Sequence, residues 1–240
     1  MSRWDFLLWV ALPYLCIAVF VVGHVWRYRQ DQYAWTARST QLMERRLLMV
    51  GILLFHFGIL AAIGGHVLGI LVPRSWTSAV GVSDDAYHWI AVTAGGIAGL
   101  AIVVGFAILV YRRIRVGRVR ATTTRSDLVL YPVLAVTIVF GMLATVWGSA
   151  VDEHLYRETV SPWFRGIFTF RPDGELMVGA PFIFQAHALT AWLLFAVWPF
   201  TRLVHAWSIP IAYFRRAPIV YRSRVPGQRL SSITQASDRS

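Results

Sequence analysis

The 240-residue chain contains no lysine: all 23 of its basic residues are arginine, set against 12 acidic ones. It has one cysteine, Cys16, inside an apolar run. A single thiol excludes an intramolecular disulfide, a cysteine-ligated iron–sulfur cluster and a four-cysteine zinc site. Charge is scarce too, at 15% of residues against 57% hydrophobic, with a mean hydropathy of +0.55. That balance excludes an ordinary soluble domain. The net charge of +11 does not point to nucleic acid, because the arginines gather between hydrophobic runs, where they orient a chain in a bilayer. No internal repeat is evident and no charge falls in the middle of a run, which argues against a small transporter.

What is present is long and apolar. Five stretches are long enough to cross a hydrocarbon core of about 30 Å, which takes about 20 helical residues. They run roughly from Phe6 to Trp26, Leu47 to Val72, His88 to Tyr111, Leu128 to Trp147 and Phe182 to Ile209. The expected fold is an all-α integral membrane bundle of five transmembrane helices within residues 1–216. A tail, 217–240, follows, and its Ser, Gln and Arg content from Val225 onward predicts partial disorder. The first run reads as a retained span, since Asp5 precedes it and Trp26-Arg27-Tyr28 ends it where a signal peptide would have small residues.

Arginine placement predicts the orientation. Arg27, Arg29, Arg38, Arg45 and Arg46 separate runs one and two; Arg112, Arg113, Arg115, Arg118, Arg120 and Arg125 separate three and four. The tail adds Arg215, Arg216, Arg222, Arg224, Arg229 and Arg239. The alternate segments hold only Arg3, Arg74, Arg157, Arg165 and Arg171, beside acids such as Asp84, Asp85, Asp152, Glu153 and Glu158. By the positive-inside rule the N-terminus is outside and the C-terminus cytoplasmic.

Four histidines lie within the apolar runs: His56 and His66 in the second, His187 and His205 in the fifth. An intramembrane histidine is costly without a partner and marks a functional site by default. Two on each of two helices suggest two sets of axial ligands, and histidine pairs commonly hold haem. With antiparallel runs, only His66 with His187 and His56 with His205 match in depth, placing one haem towards each face. Ten residues separate the first pair by about 15 Å and eighteen separate the second by about 27 Å of ideal helix. Tilt, side-chain reach and a bend at Pro199 must absorb the difference. His24, His88 and His154 sit at run ends or in a loop and read as interfacial. Gly58, Gly64, Gly65 and Gly69 flank the second-run histidines and Gly95, Gly96 and Gly99 open the third. Such glycines serve close helix packing or leave room for a flat macrocycle.

The chain resembles the gamma subunit of respiratory nitrate reductase, a membrane cytochrome b, from about Pro13 to Tyr213. The resemblance rests on Tyr33-Ala34-Trp35-Thr36-Ala37-Arg38-Ser39-Thr40-Gln41, on Phe55-His56-Phe57-Gly58-Ile59-Leu60 and on Gly65-His66 with Gly69 and Pro73. Val119-Arg120-Ala121-Thr122-Thr123-Thr124, Phe182-Ile183-Phe184 before His187, and Pro199-Phe200-Thr201-Arg202-Leu203-Val204-His205-Ala206-Trp207-Ser208 extend it.

The resemblance implies two haem b groups, an inner one on His56 and His205 and an outer one on His66 and His187. It implies that quinol, ubiquinol or menaquinol, is oxidised beside the outer haem with its protons released outside. Electrons would then reach an iron–sulfur beta subunit and a molybdenum-containing alpha subunit on the cytoplasmic face, where nitrate becomes nitrite. The quinol pocket is expected near Gly65, His66, Gly69 and the following loop. Some relatives place a lysine where this chain has Ala86, so His88 becomes the nearest basic candidate for accepting a quinol proton, with Asp84 and Asp85 close by. The alternatives are a cytochrome b anchor of a heterodisulfide- or sulfite-type reductase, or a haem-free membrane anchor.

Overall fold

A computed structural model describes residues 1–31, 35–148 and 155–208 of the chain. The tail assigned to 217–240, along with His154 and Ile209, lies outside the described residues. Within them every regular element is helical. Five helices are long and apolar enough to span a membrane: Arg3–Asp31, Arg46–Leu71, Asp84–Arg115, Arg125–Trp147 and Phe182–Phe200.

The first, third and fourth helices run further than their apolar cores because polar residues start them. Ser83 accepts from the Ala86 N–H and opens the third span just ahead of Asp84 and Asp85, whose charges suit a helix N-terminus. Thr124 and Asp127 form a reciprocal capping box at the fourth, and Ser2 with Asp5 does the same at the first. The third span continues through Arg112, Arg113 and Arg115, cations favoured in a last turn.

Spans two and three pack along each other through glycine. A Cβ added to Gly58 would lie 2.8 Å from Ile102 Cγ1 and 2.9 Å from the Ala98 carbonyl oxygen; one added to Gly105 would lie 2.5 Å from the Phe55 backbone nitrogen. Gly58 therefore serves close helix approach. By contrast, a Cβ at Gly64 or Gly65 meets nothing within 4 Å. Span five packs against spans four and one. A buried cluster of Trp9, Cys16, Trp163, Ile167, Met177 and Trp192 ties spans one and five to the short amphipathic helix Val160–Phe168, whose Trp163 indole donates to the Trp9 carbonyl at 2.7 Å.

The fifth span departs from its expected course. A single helix to Ile209 would place His187 and His205 five turns apart on one face. Instead the α-helix covers Phe182–Val197, turns 3-10 over Trp198–Phe200, and breaks at Thr201, which is fully extended (φ −120°, ψ −179°). A second 3-10 segment, Arg202–Trp207, carries His205. Pro199 cannot donate a backbone hydrogen bond and favours such a break. The first span stabilises it: Gly23 abuts the Pro199 ring, and Arg27 donates to the carbonyls of Pro199 (2.7 Å) and Thr201 (2.9 Å). Those carbonyls would otherwise be orphans at a helix C-terminus, where a cation is also favoured.

Two charged latches close the arginine-rich face. Arg112, 2% exposed, donates to Thr40 Oγ1, the Thr40 and Glu44 carbonyls, and the Glu44 carboxylate at 2.6 Å. Burial pushes Glu44 up, but N–H donation from Leu47 and Leu48 together with Arg112 outweighs it and holds the carboxyl below its usual range. Asp127, fully buried, receives a bidentate pair of bonds from Arg202 at 2.7 and 2.6 Å. Thr40 and Thr124, both within the stretches that carry the family resemblance, are thus structural fasteners.

Candidate functional site

The break in span five brings the four histidines into two facing pairs. The rings of His56 and His205 have centroids 6.0 Å apart, and so do those of His66 and His187. One pair lies towards the arginine-rich face and the other towards the opposite face. The helix mismatch of the sequence argument is resolved because His205 is not on the helix that carries His187.

Each ring is held by the same device. Nδ1 of His56 donates to the Ile52 carbonyl (2.9 Å), Nδ1 of His66 to Ala62 (2.7 Å), Nδ1 of His187 to Thr137 (3.1 Å) and Nδ1 of His205 to Arg202 (2.5 Å). Occupying Nδ1 as a donor leaves Nε2 as the lone-pair nitrogen in all four rings, the arrangement that orients a metal-ligating histidine. His187 has a further support unseen in the sequence. It sits in a notch on span four, where a Cβ on Gly141 would lie 2.9 Å from its Cε1. Thr137, which accepts its Nδ1–H, is one turn away on that span.

The donor set has a definite chemistry. An imidazole nitrogen sits about 2 Å from a bound transition metal, so two imidazoles on opposite sides of one ion place their centroids about 6 Å apart. Both pairs meet that spacing. Among the described residues no third histidine, cysteine or carboxylate joins either pair. A metal there would take its remaining ligands from a non-protein group, as the four equatorial nitrogens of a porphyrin provide. His56 and His66 are exposed on the second span and His187 and His205 half-buried. Imidazoles so placed in a bilayer require a polar partner. The residues therefore fit haem.

The quinol candidates are more scattered. Gly65 adjoins His66 on an open stretch of helix surface. Gly69 is buried; its carbonyl accepts from Ser161 (2.9 Å), and an added Cβ would meet the hydroxyl of Tyr87 at 3.4 Å and the ring of Tyr156 at 3.6 Å. His88 is half-buried in the first turns of the third span with its ring 6.5 Å from Trp89, and it makes no ring contact with either histidine pair. Tyr87 and Tyr156, which the sequence did not single out, occupy this end with Arg157, which the sequence marked only for orientation. Arg157 is buried, lies 4.0 Å above the Tyr87 ring, and bonds to Thr77 (2.8 Å) and Asp84 (3.3 Å). Arg74 joins Asp84 to Glu158 (3.0 Å to the latter). His24 is remote from all of these, ringed by Phe20, Trp35 and Trp207.

Five spans carrying two facing histidine pairs define a multi-pass, all-helical membrane protein. A family model described as the nitrate reductase gamma subunit matches residues 5–224, and the chain belongs to that family. It is 42% identical over 218 residues to the nitrate reductase gamma chain of Bacillus subtilis, covering 91% of this chain and 98% of that one. It is 35% identical over 213 residues to the respiratory nitrate reductase 2 gamma chain of Escherichia coli, covering 88% and 94%. It is also 50% identical over 220 residues to the nitrate reductase-like protein NarX of Mycobacterium tuberculosis, covering 91% of this chain but 34% of that one. The chain thus spans about a third of the length of that relative. Respiratory gamma relatives and five apolar helices make it a multi-pass protein of the cell membrane.

Proposed function

We propose that this chain is the quinol-oxidising cytochrome b subunit of a nitrate reductase. The observation that carries the reading is the pair of facing imidazole sets, each with centroids 6.0 Å apart and with Nδ1 of every ring bonded to a backbone carbonyl, which leaves Nε2 free to bind. His56 and His205 would hold an inner haem b, and His66 and His187 an outer one. When bound, these groups supply one-electron carriers at two depths of the membrane. The arginine-rich face, by positive-inside orientation, is cytoplasmic. It would dock an iron–sulfur beta subunit and, through it, a molybdenum-containing alpha subunit that reduces nitrate to nitrite.

The protein's own residues set the rest. The open helix surface at Gly65 beside His66 admits a flat quinol head, and the buried Gly69 one turn on leaves room for Tyr87 and Tyr156 to close the far edge of that surface. His88, at the outer start of the third span, is the proposed proton acceptor: a neutral imidazole takes a quinol proton and passes it to outside water. Backbone carbonyls of Ala62 and Thr137 keep the outer ligand rings oriented.

Haem stoichiometry and a reduced-minus-oxidised spectrum test the reading. Two haems per chain are expected. Replacing His66 or His187 should remove the outer one along with quinol oxidation, and replacing His56 or His205 should affect the inner one. One haem or none per purified wild-type chain would refute the assignment.

A further inference from the structure

One turn beyond the outer histidine pair, two phenols meet over a glycine. An ideal Cβ on Gly69 would lie 3.4 Å from the Tyr87 hydroxyl and 3.9 Å from that of Tyr156. The Tyr156 ring also faces Phe184, centroids 6.4 Å apart. Gly69 follows His66 by one turn and Phe184 precedes His187 by one turn, so Tyr156 touches both helices that present the pair. Tyr87 is gripped from above by the Arg157 guanidinium, itself fixed by Thr77 and Asp84.

We propose that the paired hydroxyls of Tyr87 and Tyr156 bind one ring oxygen of the quinol in the outer site. The inference rests on the reading of the His66–His187 end as the quinol-oxidising end and adds the residues that grip the substrate. Gly65 and Gly69 are four residues apart on the second span, across its change from α-helix to the π-helical turn Val67–Leu71, a rise of at most about 6 Å. That is comparable with the span between the two oxygens of a para-quinone. A ring laid across the open surface at Gly65 thus reaches the hydroxyls at Gly69.

Phenols suit the task chemically. A phenol hydroxyl accepts from a quinol O–H and donates to a quinone carbonyl, so one pair holds both redox forms without changing charge. Burial, reinforced by Tyr87 beside it, pushes the Tyr156 hydroxyl well above the usual phenol range, so it remains a neutral donor at any physiological pH. Arg157 is matched by Asp84 and adds no unpaired charge to the site.

The test uses the purified holo-complex and a fluorescent hydroxyquinoline N-oxide, which mimics a quinol head group. Tyr156→Phe keeps the ring against Phe184 and removes only the hydroxyl. Its dissociation constant for the probe should rise about tenfold, as expected for one lost hydrogen bond in a confined site. KM for a short-chain quinol should rise in parallel, with kcat within about twofold and both haem spectra unchanged. Tyr87→Phe, which retains the ring beneath Arg157, should show the same pattern and stands in if the first variant fails to insert. Unchanged probe affinity and KM in both variants, with wild-type quinol turnover intact, would overturn the tyrosine assignment alone. Loss of the outer haem spectrum in both would also overturn it, by showing that the hydroxyls hold the fold. A wild-type complex that neither binds probe nor oxidises quinol would overturn the outer-site reading as well.

Discussion

Two glycines make opposite demands on a methyl group, and that contrast gives the sharpest expectation from the structure. In Gly141→Ala the new Cβ would lie 2.9 Å from His187 Cε1, whereas ordinary contact begins at 3.4 Å. The nearest atoms belong to one imidazole, which can retreat by rotating. The retreat strains its 3.1 Å bond to the Thr137 carbonyl on the same helix face. Losing that bond costs about 1 kcal/mol, too little to unfold a five-span bundle but enough to turn the ring. In Gly105→Ala the Cβ would lie 2.5 Å from the Phe55 nitrogen and 2.9 Å from the Gly51 carbonyl oxygen, both backbone. Nothing there can rotate away, so spans two and three must separate along their seam, at roughly 1–3 kcal/mol or more. The expected result for Gly141→Ala is normal insertion, a thermal midpoint close to wild type, and an altered optical or paramagnetic signal from one haem. Gly105→Ala should give less folded protein and a lowered midpoint. A Gly141→Ala protein with both haem signals unchanged, or a Gly105→Ala protein as stable as wild type, would refute the packing argument.

Orientation is checked by a reporter fused at the C-terminus, which should be active only on the cytoplasmic side because seven arginines follow the fifth span; periplasmic activity would reverse the inner and outer labels. His88→Ala should lower quinol-driven turnover while both haems stay in place and artificial dyes still drive the catalytic subunit. Unchanged turnover and quinol affinity would make His88 an interfacial residue only.

Much of this architecture is legible in the sequence, because hydropathy and helical length leave few alternatives for a chain so poor in charge. The spans and the pairing of histidines by depth follow from apolar runs and antiparallel order. Helix ends are less legible: the first and third spans extend past their apolar limits, since caps and arginine-rich last turns lie outside any hydropathy signal. The largest difference is in the fifth span, read as one run from Phe182 to Ile209 with a bend at Pro199, where the structure instead breaks the helix at Thr201. Pro199 signalled a bend, but the extended Thr201 depends on Arg27 and Gly23 of the first span, and no local pattern reports such distant partners. Gly141 and Thr137 were illegible for the same reason. Each looks like ordinary span-four sequence until the fifth span lies against it. The glycines divide by environment: Gly58 meets backbone and side-chain atoms of span three, whereas Gly64 and Gly65 face open space.

Both histidine pairs join the second span to the fifth, and among the described residues no histidine, cysteine or carboxylate of the spans between joins either pair. During synthesis, then, His56 and His66 enter the bilayer long before either partner exists. The nascent protein must carry two solitary imidazoles through the insertion of spans three and four, and neither pocket can close until the last hydrophobic segment leaves the ribosome. The His205 side depends on the first span as well, because Arg27 holds the carbonyls of Pro199 and Thr201 at the break. A cofactor held by these pairs would therefore load only after the fifth span is in place, and a truncation ahead of Arg202 would leave a protein able to complete at most the His66–His187 pair.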